Sequence, residues 1–196
     1  MATELEGWEV YRDFMEKYPL AADYENAKRL FHLRLFTSWT ASGSIKSFES
    51  FLEKFPASPH VADAENAIFG LSSTKGTIDE YYLFIRKYPD NHNIEQAWYN
   101  IYTLYTTDFK PESFNDFLKV FPDYPYSENV NRDIELARLI LLPVRQNGKW
   151  GFIDTAGKMV IACIYEWCEE FSEGLAAVGW NGKAGFINKA GLQIFQ

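Results

Sequence analysis

Three histidines and two cysteines are the side chains best suited to bind a metal ion or to attack a substrate in this 196-residue chain. His32, His60 and His92 lie far from one another in the sequence and far from either cysteine. Zinc sites use closely spaced ligands such as His-Glu-x-x-His or paired Cys-x-x-Cys, and neither pattern occurs. We therefore expect no metal site, no cofactor and no catalytic residue, and binding residues stay unassigned.

Cys163 and Cys168 lie next to apolar neighbours, Ile161-Ala162 and Trp167 respectively. A cysteine nucleophile needs a histidine as its base, and none is near in the sequence. Both cysteines are therefore predicted to be ordinary packing thiols.

Gly148, Gly151 and Gly157 suggest a phosphate-binding loop, but the Gly-Lys-Ser/Thr ending and the following helix are missing. We interpret all three as turn residues. Glu169 and Glu170 adjoin a Phe-Ser-Glu-Gly turn, which favours a solvated turn over a glycosidase pair.

Trp39, Trp98 and Trp167 are large enough to line a ligand groove. Trp98 directly follows Ala97, which we expect to lie at a helix contact. All three tryptophans are therefore predicted to pack in the core or between repeats.

The net charge of −8 lies entirely in residues 1–138, which hold 14 Lys/Arg and 22 Asp/Glu, whereas residues 139–196 hold five of each. An acidic chain is a poor partner for nucleic acid, and no apolar run is long enough for membrane insertion. The first residues resemble no signal peptide. The location is left open: cytoplasmic for the chain as written, and periplasmic or cell envelope if a signal sequence has been removed.

Residues 1–138 contain an internal repeat that ends in proline. Its copies start 33 to 37 residues apart, a period typical of helix pairs, and the first copy is longer through residues 37–44. Counted back from each proline, the eighth, fifth, fourth and first residues are all apolar or aromatic. This spacing places them on one face of a helix. The helix is predicted to stop before the proline. The copies are Phe14–Pro19, Phe51–Pro56, Phe84–Pro89 and Phe117–Pro122.

The second helix of each pair has a small residue at one fixed position, eight residues after the proline. Ala27, Ala64 and Ala97 occupy it, and Val130 replaces alanine in the fourth copy. A small side chain there favours close helix packing.

Helix starts carry their own signals. Thr77 with Glu80 predicts a capping box, Pro111 suits a first turn, and Ser127 is expected to cap the last helix.

This pattern of an aromatic helix ending in Lys-Tyr-Pro or Lys-Phe-Pro, followed by an alanine-bearing helix, resembles tetratricopeptide-like repeats, in particular those of bacterial envelope and assembly proteins. The resemblance covers about residues 5–138. It implies an α-solenoid of four antiparallel helix pairs.

Residues 139–196 follow a different pattern, in which Asn147-Gly148 recurs 34 residues later as Asn181-Gly182. Asn-Gly between alternating segments predicts a β-hairpin with a type I′ turn. The run Gly148–Asp154 and the Phe171–Val178 segment resemble the WG repeat family. The second copy has Ala184 where tryptophan is expected, and we expect the segment to be truncated from a protein with more such units.

The expected fold class is α+β, with a helical repeat domain at 1–138 and a WG-repeat β segment at 139–196. Both resemblances imply a non-enzymatic protein–protein interaction scaffold. Its expected partner is another protein that presents a basic segment, and the oligomeric state is open. The alternatives are a small-ligand-binding protein and a regulatory or targeting region of a larger enzyme.

Overall fold

The structure is a computed structural model that describes residues 7–195. Over this range eight helices precede seven strands, so the predicted α+β class is confirmed. The chain forms two compact units, Met1–Tyr99 and Asn100–Gln196, which we describe separately. The predicted start of the helical repeat at residues 5 and 6 lies outside the described residues.

The helices reproduce the repeat spacing seen in the sequence. The first helix of each copy has ten residues, a six-residue link follows, and the second helix has 12 residues except for α2, which has 16. The extra turn of α2 explains the longer first copy. The helices are α1 Trp8–Lys17, α2 Tyr24–Trp39, α3 Ile45–Lys54, α4 Val61–Ser72, α5 Ile78–Lys87, α6 Ile94–Tyr105, α7 Pro111–Val120 and α8 Ser127–Arg138.

Each first helix ends two residues before its proline, as predicted. The residue between them is out of the helical region, with φ between −132° and −120° and ψ between 58° and 69°. Proline disfavours the α conformation in the residue before it, because its Cδ clashes with that residue's backbone. The four residues are Tyr18, Phe55, Tyr88 and Phe121.

The predicted aromatic stripe forms the core of the helical repeats. In the first unit, Phe51 and Phe84 are buried beside Ala64 and Ala97, the small residues of the facing helices. The stripe of α1 is less covered, and its last member, Tyr18, is exposed. Burial of the small residue holds in every copy, including Val130.

Of the three predicted helix starts, Pro111 is confirmed, since it opens α7. The capping box is half formed: the Thr77 hydroxyl accepts a hydrogen bond from the Glu80 N–H at 3.3 Å, but the Glu80 carboxylate accepts from the Lys75 N–H at 2.9 Å rather than from Thr77. Ser127 was wrongly predicted as a cap: it is the first helical residue, and the preceding Tyr126 holds the cap position without a side-chain bond.

The strands of the second unit form two antiparallel sheets in the orders β1-β2-β3 and β4-β5-β6-β7. Both predicted Asn-Gly hairpins are present, and Asn147 and Asn181 each have a φ of 51°. Positive φ at both turn residues is what a type I′ turn requires. The strands are β1 Leu142–Gln146, β2 Lys149–Ile153, β3 Met159–Tyr165, β4 Trp167–Cys168, β5 Leu175–Trp180, β6 Lys183–Asn188 and β7 Gln193–Phe195.

Removal of the Phe51 ring tests the repeat core. Phe51 is fully buried, so Phe51→Ala is expected to cost about 3–5 kcal/mol through lost burial and a cavity. Leu83, which is 66% exposed on the next repeat, is the control, and Leu83→Ala should change stability by less than about 0.5 kcal/mol. Urea unfolding measures both. Equal losses in the two variants would contradict this account of the core.

Candidate functional site

The histidines are used in contacts within the first unit. His60 stacks on Phe36 with ring centroids 5.0 Å apart, and its Nδ1 lies 2.6 Å from an Asp63 carboxylate oxygen. Burial lowers the pKa of His32, and Lys28 and His60 lower it further through their charge. His32 and His60 are therefore not electrostatically independent, although 28 positions separate them in the sequence.

His92 connects two repeats of the first unit. Its Nδ1 lies 2.5 Å from the Glu65 carboxylate and its Nε2 lies 2.9 Å from the Asn66 side-chain oxygen. The neighbouring Asn91 side chain donates to the Glu65 carbonyl oxygen. Both ring nitrogens of His92 are therefore engaged in the contact between α4 and the α5–α6 link.

Cys163 and Cys168 are both free and partly buried. Cys168 packs against the apolar core of the sheets, and burial raises the pKa of its thiol. Packing is the role that we predicted for it. Within residues 7–195 the structure brings together no group of three or more metal-ligating side chains.

The glycines divide into two kinds. Gly148 and Gly157 have φ values of 80° and 83° and lie in turns, as predicted. Gly151 lies inside β2, and a Cβ there would be 2.5 Å from the Ile161 carbonyl oxygen. Its assignment to a turn is therefore wrong: glycine is needed there because β3 passes so closely.

The three tryptophans differ from one another in burial. Trp98 is buried, as predicted, and Trp39 packs at the surface against Phe55 with ring centroids 5.0 Å apart. Trp167 is 42% exposed, which contradicts the predicted core position. Its indole lies over Gly179, where any Cβ would overlap the ring.

Trp167 belongs to a surface that we call the aromatic face, formed by Trp167, Ala177, Gly179, Ala184 and Phe186. Trp167 pairs with Gly179 and Gly179 with Ala184, while Ala177 pairs with Phe186, so all five share one face of the second sheet. The two aromatic residues are 42% and 45% exposed. They flank a floor of small side chains.

The first sheet shows how the matching face differs. Thirty-four residues earlier, Arg145 and Trp150 replace the glycine and alanine, and the Arg145 guanidinium lies 5.9 Å from the Trp150 ring centre. The counterpart of Phe186 is Phe152, which is buried under Phe171 at a ring-centroid distance of 4.8 Å. Phe186 of the second copy is therefore partly exposed, whereas its counterpart in the first copy, Phe152, is buried. In the sequence, this difference was indicated only by Ala184 in place of tryptophan.

The opposite face of the second sheet borders an apolar hollow of about 300 Å³. Val178 and Ile187, which are core residues, form its floor. Trp180, which is 46% exposed, and Lys183 are at its rim.

The end of α8 is joined to the strands of the second unit. The Lys189 ammonium donates to the carbonyl oxygens of Ala137 at 2.6 Å and Leu139 at 2.9 Å. These oxygens lack helical partners, and a cation suits the negative end of the helix dipole. Burial lowers the pKa of Lys189, because desolvation disfavours the charged form.

A second junction joins the loop before α7 to the turn before β5. The Lys110 ammonium donates to the Glu173 carboxylate, and a Cβ on Gly174 would overlap the Asp108 carbonyl oxygen. Only glycine permits this approach. The two junctions attach the β segment to the helical residues of the same unit.

Comparison with known proteins gives one match. Residues 150–183 match the family model described as a WG containing repeat. The match begins at Trp150 and ends at Lys183, so it includes β3, β4, β5 and the second Asn-Gly turn. Of the aromatic face, Trp167, Ala177 and Gly179 lie within the matched residues, whereas Ala184 and Phe186 lie just after them. No curated protein and no solved structure matches the chain.

Among the helices of residues 7–195, none combines the length and the apolar character that a membrane span requires.

Substitution of Lys189 tests the junction with α8. Lys189→Met keeps the apolar stem but removes the donor from two carbonyl oxygens, and we expect a loss of about 1–3 kcal/mol in the free energy of unfolding. Lys158, exposed in the turn before β3, is the control, and Lys158→Met should have little effect. Urea unfolding measures both variants. A Lys189→Met protein that unfolds at the same urea concentration as the original would contradict this role.

Proposed function

We propose that this protein is a non-enzymatic scaffold for protein–protein interaction, and that the aromatic face of the WG region is one of its contact surfaces. The observation that carries the proposal is the exposure of Trp167 and Phe186 beside a floor of Ala and Gly. Aromatic residues are enriched at the cores of protein interfaces, and tryptophan is also enriched at hot spots. A partner side chain placed between the two rings would remove both from water.

The composition of the aromatic face indicates the chemistry of the partner. Its two aromatic residues are partly exposed, and the three residues between them are alanine or glycine. The proposed partner segment therefore places an apolar side chain against this face.

The helical repeats supply a second proposed surface. Residues 1–138 carry the whole net charge of −8, while residues 139–196 are neutral. An acidic surface speeds the approach of a basic partner and weakens its binding as salt is added. We propose that the helices belong to the tetratricopeptide-like class, because they share its aromatic stripes, small packing residues and regular links. Repeats of this kind commonly bind other proteins.

Photocrosslinking from position 186 in the full chain tests the aromatic face. With benzoylphenylalanine at this position, we expect one partner protein to be crosslinked in cells. Purified with that partner, Trp167→Ser should weaken binding by about tenfold or more, as expected for a hot-spot aromatic residue. Raising the salt concentration should weaken binding further if the partner segment is basic.

Leu142, which is 46% exposed on β1 and lies outside both proposed surfaces, provides the control. Leu142→Ser should leave the affinity unchanged. An affinity that falls equally in both variants, or only in Leu142→Ser, would reject the aromatic face as the contact surface. Turnover of a substrate by the purified protein would reject the scaffold proposal itself.

The apolar hollow favours a second candidate function, the binding of a small ligand. Its volume of about 300 Å³ is at the lower end of ligand pockets, and Lys183 offers one charged group at the rim. A thermal-shift screen of small apolar carboxylates tests this function. A stabilising compound whose effect disappears in Val178→Phe, which fills the hollow, would support it, while no shift across the panel would contradict it.

A further inference from the structure

The two Asn-Gly turns form a natural matched pair. Each is followed by lysine, as Asn147-Gly148-Lys149 and Asn181-Gly182-Lys183. Both asparagines have a φ of 51°, both glycines have positive φ, and all four turn residues are exposed. Local sequence and backbone conformation therefore make the two turns almost equivalent.

One tertiary contact separates them. The Gly182 N–H donates to a carboxylate oxygen of Glu166 at 3.3 Å. The other carboxylate oxygen of Glu166 lies 3.9 Å from the Lys149 ammonium, which keeps the carboxylate between the two hairpins. For the Gly148 N–H, no acceptor is found among residues 7–195.

We propose that Asn147-Gly148 is a site of spontaneous deamidation in the folded protein, and that Glu166 protects the matching pair Asn181-Gly182. Asparagine followed by glycine is chemically labile, because the glycine has no side chain to hinder ring closure. Its exposed position in a turn gives water access to the reacting atoms.

The reaction is balanced without any co-reactant other than water. The Gly148 backbone nitrogen loses its proton to solvent and attacks the side-chain carbonyl carbon of Asn147, and ammonia leaves as the cyclic succinimide forms. Water then opens either carbonyl of the ring and yields aspartate or isoaspartate. One neutral amide is thereby converted into one carboxylate.

Glu166 opposes the first step at the second turn. The Gly182 nitrogen has to lose a proton and develop negative charge before it attacks. A carboxylate that accepts a hydrogen bond from this N–H stabilises the protonated form, and its own charge disfavours a second negative charge nearby. At the first turn, no carboxylate of residues 7–195 accepts a hydrogen bond from the Gly148 N–H.

The product would change the first hairpin. Isoaspartate carries the main chain through the former side-chain carbon, so a two-residue turn gains one backbone atom. Gln146 and Lys149, which now pair directly across the turn, would then lose their register.

Peptide mapping by mass spectrometry of the intact chain, aged at neutral pH, tests the proposal. We expect aspartate and isoaspartate at position 147 to accumulate about three to ten times faster than at position 181, the range for loss of an exposed charge-assisted hydrogen bond. In concentrated urea the two rates should become similar, because both sites share Asn-Gly-Lys.

Two variants of the full chain complete the test. Glu166→Gln and Glu166→Ala should both raise the rate at position 181 towards the rate at position 147. Glu170→Gln, an exposed carboxylate on the following segment, is the control and should change neither rate. Equal rates at the two sites in the folded protein, or a rate at position 181 that ignores Glu166, would overturn the proposal.

Discussion

The steric clash between proline and the residue before it is the constraint on which the helical half of this protein depends. The clash ends each first helix at the same point, two residues before proline, and leaves the intervening aromatic residue in one narrow backbone conformation. Six-residue links of the same length follow. Because the links are alike, Ala64 and Ala97, which hold the same repeat position, both pack in the core formed by the aromatic stripe.

The β segment shows how one backbone pattern supports two different surfaces. Its two hairpins share their turn geometry and their pairing register. On the first sheet the Arg145 guanidinium lies 5.9 Å from the Trp150 ring centre, whereas Gly179 and Ala184 hold the matching positions of the second sheet and the Trp167 indole lies over Gly179. The surface that we propose for partner binding therefore differs from its counterpart through side chains and not through the backbone.

Attachment of the strands to the helices relies on polar atoms that secondary structure leaves without partners. A helix end has carbonyl oxygens with no donor, and Lys189 supplies one from a turn more than 50 residues along the chain. Gly174 permits direct contact with the Asp108 carbonyl. The composition of the chain changes near residue 138, yet the compact unit that contains the strands begins at Asn100.

The sequence by itself determined the helix pairs, the ends of the four first helices, the two Asn-Gly hairpins and the aromatic stripe of the helical repeats, because proline, Asn-Gly and the periodicity of apolar residues act over a few neighbouring positions. Tertiary structure alone decided the exposure of Trp167, the close approach at Gly151, the effect of the His60 charge on the pKa of His32, and the hydrogen bond that Glu166 makes to one turn only. Each of these depends on which distant segments meet. Local sequence patterns do not reveal such contacts, because the same residue types occur whether or not a distant segment of the chain packs against them.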